Sequence, residues 1–186
     1  GVDGLKNSRT WNVVGAENSD PSEDNKAIIG NGMPKMFAAL QANYRWKGLD
    51  VSVSFRGAFG FDILNAYRMK YETLAWLSSF NVPKSAYQKV GEYYNFAPSI
   101  YSDRYIESGD YVKLDNLTIG YTFDLSQRNK VIRSIRVFCT GMNLLTISGY
   151  SGLDPEVAIV GLTPGVDPIN KYPNLRSYIV GASFNF

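Results

Sequence analysis

The sequence predicts an all-β protein, an antiparallel segment of a transmembrane β-barrel with about five strands. Three observations support this prediction. Apolar and polar residues alternate along separate stretches, aromatic residues collect at the ends of those stretches, and the connections between them alternate between long and short. Alternation alone is also typical of soluble strands, so the aromatic positions and the loop lengths carry the distinction.

The first hairpin is predicted over residues 36–58, after a polar loop over residues 1–35 that is rich in Asn, Asp, Ser and Pro. Every second residue from Met36 to Trp46 is apolar or aromatic on one face, and the same period resumes at Leu49. Between them stands Lys47-Gly48, which is short enough for a tight turn because Gly readily adopts positive φ. This stretch is therefore expected to form two strands and a two-residue turn.

A long loop is predicted over residues 59–109, with a short helix in its middle. The helical spacing of three and four is carried by Tyr67, Tyr71, Leu74 and Leu77. Asp62 is the predicted helix cap, and Pro83 follows the expected end. The loop is also rich in aromatic residues, which either pack within the loop or stack on a ligand.

A second hairpin is predicted over residues 110–144, then a loop over 145–174 and a last strand over 175–186. Phe138 is the exception in this hairpin, since it falls on the otherwise polar face. Transmembrane barrels have short periplasmic turns and longer extracellular loops, and each connection here falls on the side that this rule requires. The aromatic residues adjoining the short turns fit an interfacial girdle: they are Trp46, Tyr121, Phe123, Phe184 and Phe186.

Composition excludes several functional classes. Charged residues make up 19% of the chain, against about 25% in ordinary domains, and the net charge of +2 gives no electrostatic footprint for nucleic acid. The chain has no His and one Cys, Cys139, so disulfides and the usual zinc, iron and copper ligand sets are not expected. We expect no cofactor, no metal and no catalytic residue, and an enzyme is the weakest interpretation.

An ordered series of motifs resembles the barrel segment of SusC/RagA-type TonB-linked outer-membrane transporters, at the C-terminal end of that family's barrel. The motifs cover most of residues 28–186 and are Ile29–Lys35, Tyr44–Asp50, Tyr111–Tyr121, Ile135–Val137, Gly141–Thr146, Tyr150–Gly152, Asp154–Glu156 and Tyr172-Pro173. Within them, Asn143, Asp154 and Pro155 are interpreted as residues that shape loops rather than bind ligand.

The resemblance implies a transporter of the Bacteroidota outer membrane with a plugged barrel of about 22 strands. It implies import of oligosaccharides, peptides or similar nutrients, a SusD-like surface lipoprotein as lid, and TonB acting on the plug. This chain would supply only part of the barrel, with the plug and the remaining strands as its partners and outer-membrane lipid around it. We therefore expect an internal or mature piece that does not close a barrel by itself.

Two sets of residues are candidates for function. Trp76, Tyr101 and Tyr105 would stack on a ligand, while Arg56 and Asp50 would line the lumen. The alternating residues at the end of the chain resemble the signal read by the outer-membrane assembly machinery, and they are Tyr178, Val180, Phe184 and Phe186. Two alternatives remain open: a passive porin or adhesin barrel, and a soluble β-sandwich that binds carbohydrate.

Overall fold

The computed structural model describes residues 28–74, 77–88, 103–126, 131–158 and 161–186. These residues divide into two compact units. The sheet unit comprises residues 35–59, 110–148 and 173–186, and the loop unit comprises the described residues within 1–34, 60–109 and 149–172. Each unit has its own sheet and its own packing.

In the part of the chain that the structure describes, the regular elements follow one another along the sequence, with a 3-10 turn at Asp103–Tyr105. They are β1 (Met36–Trp46), β2 (Leu49–Phe59), β3 (Asp62–Asn65), α1 (Ala66–Tyr71), α2 (Lys84–Gln88), β4 (Ile106–Ser108), β5 (Tyr111–Asp124), β6 (Ser134–Ser148), β7 (Val166–Asp167) and β8 (Ser177–Asn185). No helix in the described part of the chain is both long enough and apolar enough to cross a membrane.

The sheet unit is one five-stranded antiparallel sheet in the order β1-β2-β5-β6-β8. The five strands predicted from alternation are confirmed. Their register aligns residues of like polarity, since directly opposed residues of antiparallel strands share a face. One row across all five strands reads Tyr44, Val51, Ile119, Cys139 and Val180.

The turn between β1 and β2 consists of Lys47 and Gly48, both with positive φ, at 44° and 88°. Two successive positive φ angles are the requirement of a type I′ turn, whose twist matches that of the flanking strands. Trp46 pairs with Leu49 at the base of the turn. The predicted tight hairpin is confirmed.

The apolar face of the sheet is exposed rather than packed against a second layer of the sheet unit. Tyr44, Ile119 and Val180 are 60%, 48% and 75% exposed. Fully buried apolar side chains are almost absent from the described sheet unit, where Ala58 is the one buried hydrophobic residue. A soluble protein would hide such a face in a core, so this sheet requires an apolar environment on one side.

A bulge interrupts the pairing of β5. Asp115 falls between two shifted registers, and two β6 residues, Asn143 and Leu144, lie opposite it. Asn143 adopts a left-handed φ of 53°, a conformation that Asn tolerates better than most residues. Its side-chain amide donates to the carbonyl of Leu175 at 3.1 Å. Asn143 therefore has a structural role, as expected, but inside a strand rather than in a loop.

The loop unit contains a three-stranded sheet in the order β4-β3-β7 and a small core. Its buried apolar residues are Phe61, Ile63, Leu64, Leu74, Ala86, Tyr105, Tyr150 and Val157. Complete burial of a side chain such as Ile63 contributes roughly 1.5–3 kcal/mol. These contacts give the loop unit a small apolar core of its own.

The predicted helix is present but shorter, and its predicted cap is wrong. Asn65 caps α1, since its side chain accepts a hydrogen bond from the backbone N–H of Arg68 at 3.0 Å. Asp62 lies in β3 and accepts instead from the backbone N–H of Asn31 at 2.9 Å. The helix ends at Tyr71, where Glu72 leaves helical geometry. Asp62 is unavailable as a cap because β3 pairs with β4 and β7.

Candidate functional site

The polar face of the sheet is the candidate functional site, because its side chains are hydrogen-bonded to one another across strands. One row reads Asn43, Ser52, Thr118, Thr140 and Ile179. Within it the hydroxyl oxygens of Thr118 and Thr140 lie 2.8 Å apart, within hydrogen-bonding distance. The adjacent row contains the charged residues Arg45 and Asp50.

An ion pair joins Asp50 on β2 to Arg136 on β6, across the intervening strand β5. The Nε and Nη2 groups of Arg136 donate to the two carboxylate oxygens of Asp50 at 2.9 and 2.5 Å. A guanidinium and a carboxylate matched in this two-point way hold each other in a fixed orientation. The pair is partly exposed, with 34% of the Arg136 side chain and 21% of the Asp50 side chain open.

Gly120 of β5 makes this ion pair possible. It stands directly opposite Asp50. A Cβ atom at this position would lie 2.7 Å from Nη2 of Arg136 and 2.8 Å from either carboxylate oxygen of Asp50, closer than real Cβ contacts. Because Gly120 has no side chain, the Asp50 carboxylate and the Arg136 guanidinium can meet in the space above it.

Phe138, an aromatic residue on the polar face, fits because both of its neighbours are glycines. It pairs with Gly120 on β5 and with Gly181 on β8. A Cβ at Gly181 would lie 2.5 Å from the tip of the Phe138 ring. The guanidinium of Arg136 lies over the same ring at 4.9 Å, a favourable cation–π distance. Arg136 is thus held by a carboxylate at one edge and by an aromatic ring against its face.

Nearer the other end of β2, Arg56 donates from Nε to Asp115 at 3.0 Å. Arg56 also pairs in register with Lys113, whose residue surface is only 2% exposed. Asp50 and Arg56 stand six residues apart on one strand, which corresponds to roughly 20 Å at about 3.4 Å per residue. The two predicted lumen residues therefore lie on the same face but in separate ion pairs.

The loop unit has a charged cluster of its own, centred on Glu107. Oε1 accepts from Arg68 Nη1 at 2.5 Å and from the Ser151 hydroxyl at 2.8 Å, while Oε2 accepts from the backbone N–H of Ser151 at 2.7 Å. Arg68 also pairs with buried Glu72 at 3.0 Å. Burial opposes ionisation of Glu107, but the hydrogen bonds from Ser151 and Arg68 outweigh it and hold its pKa below the usual range.

A second buried contact in the loop unit joins Tyr150 to Asp167. The Tyr150 hydroxyl donates to a carboxylate oxygen of Asp167 at 2.6 Å. Burial of the phenol, together with that hydrogen bond and the carboxylate charge, strongly raises the pKa of Tyr150. The two clusters fasten residues 149–151 and 166–167 to the rest of the loop unit. The polar groups of both clusters form their hydrogen bonds with each other, so we interpret the clusters as structural anchors.

The structure places the other predicted residues as follows. Trp76 and Tyr101 lie outside the described residues. Tyr105 lies in the core of the loop unit with 6% of its surface exposed, so a stacking role would require that core to open. Tyr178, Val180, Phe184 and Phe186 are all exposed, and the three that lie in β8 belong to the apolar face.

Sequence reasoning missed Arg136, Gly120 and Gly181 as members of one arrangement. The available signal was the anomaly at Phe138, a large ring where alternation requires a polar residue. Two glycines on the same face of the neighbouring strands would have explained it, but only once the register was known.

No family model matches the chain. Among curated proteins, it is similar to TonB-dependent receptor P3 of Formosa agariphila, with 26% identity over 194 residues, 91% of this chain and 18% of the relative. TonB-dependent receptor SusC of Bacteroides thetaiotaomicron is 27% identical over 153 residues, 79% of this chain and 15% of the relative. The chain thus spans less than a fifth of the length of these relatives.

Solved structures show the same fold. A structure of the RagAB peptide transporter matches all of this chain with a TM-score of 0.78 at 24% identity, over 22% of its own length. The chain is a SusC/RagA-like barrel segment. This SusC/RagA-like segment therefore belongs to an outer-membrane β-barrel. In barrels of this class an apolar outer face meets lipid and a polar face lines the interior.

The structure of the RagAB peptide importer in its 'closed-closed' state matches with a TM-score of 0.76 at 22% identity, again over the whole chain and 22% of the other.

Proposed function

We propose that this segment forms part of the barrel wall of an active outer-membrane importer for oligosaccharides, peptides or similar nutrients. TonB supplies the energy through a plug in the same receptor, and a SusD-like surface lipoprotein closes the extracellular side. The segment acts without covalent chemistry: it contributes a hydrogen-bonded polar wall past which the nutrient moves.

The observation that carries this proposal is the two-faced, single-layer sheet. Its apolar rows are exposed where a soluble domain would bury them, and its polar rows are joined by hydroxyl contacts and ion pairs. A soluble carbohydrate-binding sandwich would need a second sheet against the apolar face, and the described sheet unit has one sheet. The similar receptors and the RagAB transporter and importer structures support active import over a passive porin.

The residues proposed to contact the nutrient divide between the wall and the loops. Asp50 and Arg56 would line the lumen, since both lie on the polar face. Trp76 and Tyr101 are proposed to stack on sugar rings or peptide groups, as aromatic side chains in binding sites do. Replacing both by Ala should raise the nutrient concentration required for half-maximal uptake.

The orientation of the wall is tested by cysteine labelling of the full-length receptor in intact outer membranes. With Cys139 changed to Ser, single cysteines are placed at adjacent residues, T118C on the polar face and I119C on the apolar face. A water-soluble maleimide should label T118C. A lipid-soluble maleimide should label I119C, because the two side chains point to opposite sides of the wall. Equal labelling of both by the water-soluble reagent would contradict a lipid-facing side.

Transport is tested by growth on two nutrient mixtures, a tryptic digest of casein and a mixture of maltooligosaccharides. Deletion of the receptor should abolish growth on one of them, and deletion of TonB should do the same. Growth that depends on the receptor but survives loss of TonB would indicate a passive porin. Growth on both mixtures without the receptor would contradict import of either nutrient class.

A further inference from the structure

We propose that the polar face, at its end next to the turn between β1 and β2, binds a carboxylate group of the transported solute. The site is a cavity of about 360 Å³ lined by Arg45, Gly48, Asp50, Thr122 and Arg136. This inference rests on the proposed import function and deepens it, because it names anionic nutrients as the substrate class. The volume falls within the range of about 300–1,000 Å³ that is typical of small-molecule sites.

The first anion-binding group is Arg136, whose guanidinium is already held in place. Asp50 occupies its Nε and Nη2 groups, and the ring of Phe138 lies against its face. Nη1 takes part in no hydrogen bond within the described residues. A guanidinium that is fixed before binding loses little conformational entropy when an anion arrives, so its free N–H groups form an efficient recognition edge.

The second group is Arg45, which stands opposite Asp50 in the β1–β2 register. Its side chain forms no ion pair within 4.0 Å in the described part of the chain, although its charge acts on Asp50. Arg45 also lines a second concave region of about 210 Å³, together with Asp50, Asn43, Tyr44, Val51 and Ser52. Arg45 and Asp50 therefore line both of two adjoining concave surfaces.

The charge balance favours a carboxylate over a dianion. Two guanidinium groups and one carboxylate in the cavity lining leave a net charge of +1. A monoanionic carboxylate neutralises this charge, whereas a doubly charged phosphate would leave an excess negative charge beside Asp50. The planar guanidinium fork also matches the two oxygens of a carboxylate. Thr122, in the same lining, offers a hydroxyl donor.

The test uses the purified full-length receptor in detergent at pH 7 and two small probes, propionate and its neutral amide, propionamide. Saturation-transfer NMR measures the binding of each probe. Loss of one charge-assisted contact in R45Q should weaken propionate binding about tenfold. Propionamide binding should be unchanged. K47Q is the matched control, since the Lys47 ammonium lies over the Trp46 ring at 5.1 Å and does not line the 360 Å³ cavity.

The outcomes separate this inference from the proposed function. If R45Q and K47Q bind propionate equally, or if the wild-type receptor binds propionate no better than propionamide, the carboxylate site is refuted while TonB-dependent growth can still hold. If propionate binding depends on Arg45 but growth does not depend on TonB, the site stands and active import fails. A heat-modifiability gel verifies that R45Q assembles, as expected for a residue without a structural hydrogen bond.

Discussion

Substitution of Gly120 by Ala is the sharpest test of the ion pair that crosses β5. The added Cβ would lie 2.7 Å from Nη2 of Arg136 and 2.8 Å from either oxygen of Asp50. All three atoms are at the ends of side chains, so the pair can move apart while the backbone stays in place. We therefore expect G120A to assemble normally but to lose the contact between Asp50 and Arg136.

The magnitude follows from the exposure of the pair. Hydrogen bonds to charged groups contribute about 1.5–3 kcal/mol when well buried, whereas exposed pairs contribute about 0–1 kcal/mol. With 34% and 21% of the side chains exposed, the contact lies between these limits. We expect G120A to lower the free energy of unfolding by about 1 kcal/mol. Replacing Gly by Ala also restricts the unfolded chain, which offsets part of this loss.

A double-mutant cycle removes that offset. The free energy of unfolding of the full-length receptor in lipid vesicles is measured by denaturant titration for wild type, G120A, D50N/R136Q and the triple variant. The effect of Ala on the unfolded chain is common to both backgrounds. G120A should therefore cost about 1 kcal/mol more in the wild type than in D50N/R136Q. An equal cost in both backgrounds would show that Gly120 is not required for the ion pair.

Two further predictions concern the loop unit of the full-length receptor. E107Q should destabilise residues 149–151 by roughly 1–3 kcal/mol, because a Gln side chain cannot replace both carboxylate oxygens that accept from Ser151 and Arg68. Hydrogen exchange of the Ser151 amide at pH 7 measures this loss. Since the pKa of Glu107 is lowered from an ordinary value of 4.5, its contribution is complete above that pH and is lost as the pH falls through the folded-state value. Amide exchange slows intrinsically in acid, so each rate is compared with that of an unfolded chain at the same pH; a protection factor of the Ser151 amide that stays unchanged in acid would contradict the role of Glu107. Y150F should lower the local stability of the loop unit by roughly 1–3 kcal/mol, because it leaves the buried Asp167 carboxylate without its hydrogen-bond donor at 2.6 Å. Hydrogen exchange of the Asp167 amide measures this loss, and Y172F, at an exposed tyrosine, is the control. Because the pKa of Tyr150 is raised, its contribution is present at neutral pH and is lost only in strong alkali; protection identical to wild type in Y150F would contradict the anchoring role.

The strands were predictable because their information is local. Alternation in residues such as Tyr178 and Val180 follows from the period of a strand and needs no knowledge of neighbours. The turn at Lys47-Gly48 was equally local, since positive φ at Gly is a property of the residue. In both cases the side-chain pattern and the backbone preference indicate the same structure.

The polar site could not be predicted in the same way, because it depends on register. Asp50, Gly120 and Arg136 are far apart in sequence and meet only when three strands align. Asp62 shows the converse error: its position before a helical pattern suggested a cap, but pairing of β3 with strands distant in sequence removed it from that role. Tertiary pairing overrides local propensity at such positions.

The single-layer sheet has a consequence for how such a wall can change in evolution. Neighbouring residues such as Thr118 and Ile119 lie on opposite faces of the sheet, so alternate residues of one strand form two separate surfaces. A substitution at one position alters the polar face without changing the apolar face, and a substitution at the next does the reverse. The two faces can therefore diverge independently within one short stretch of strand.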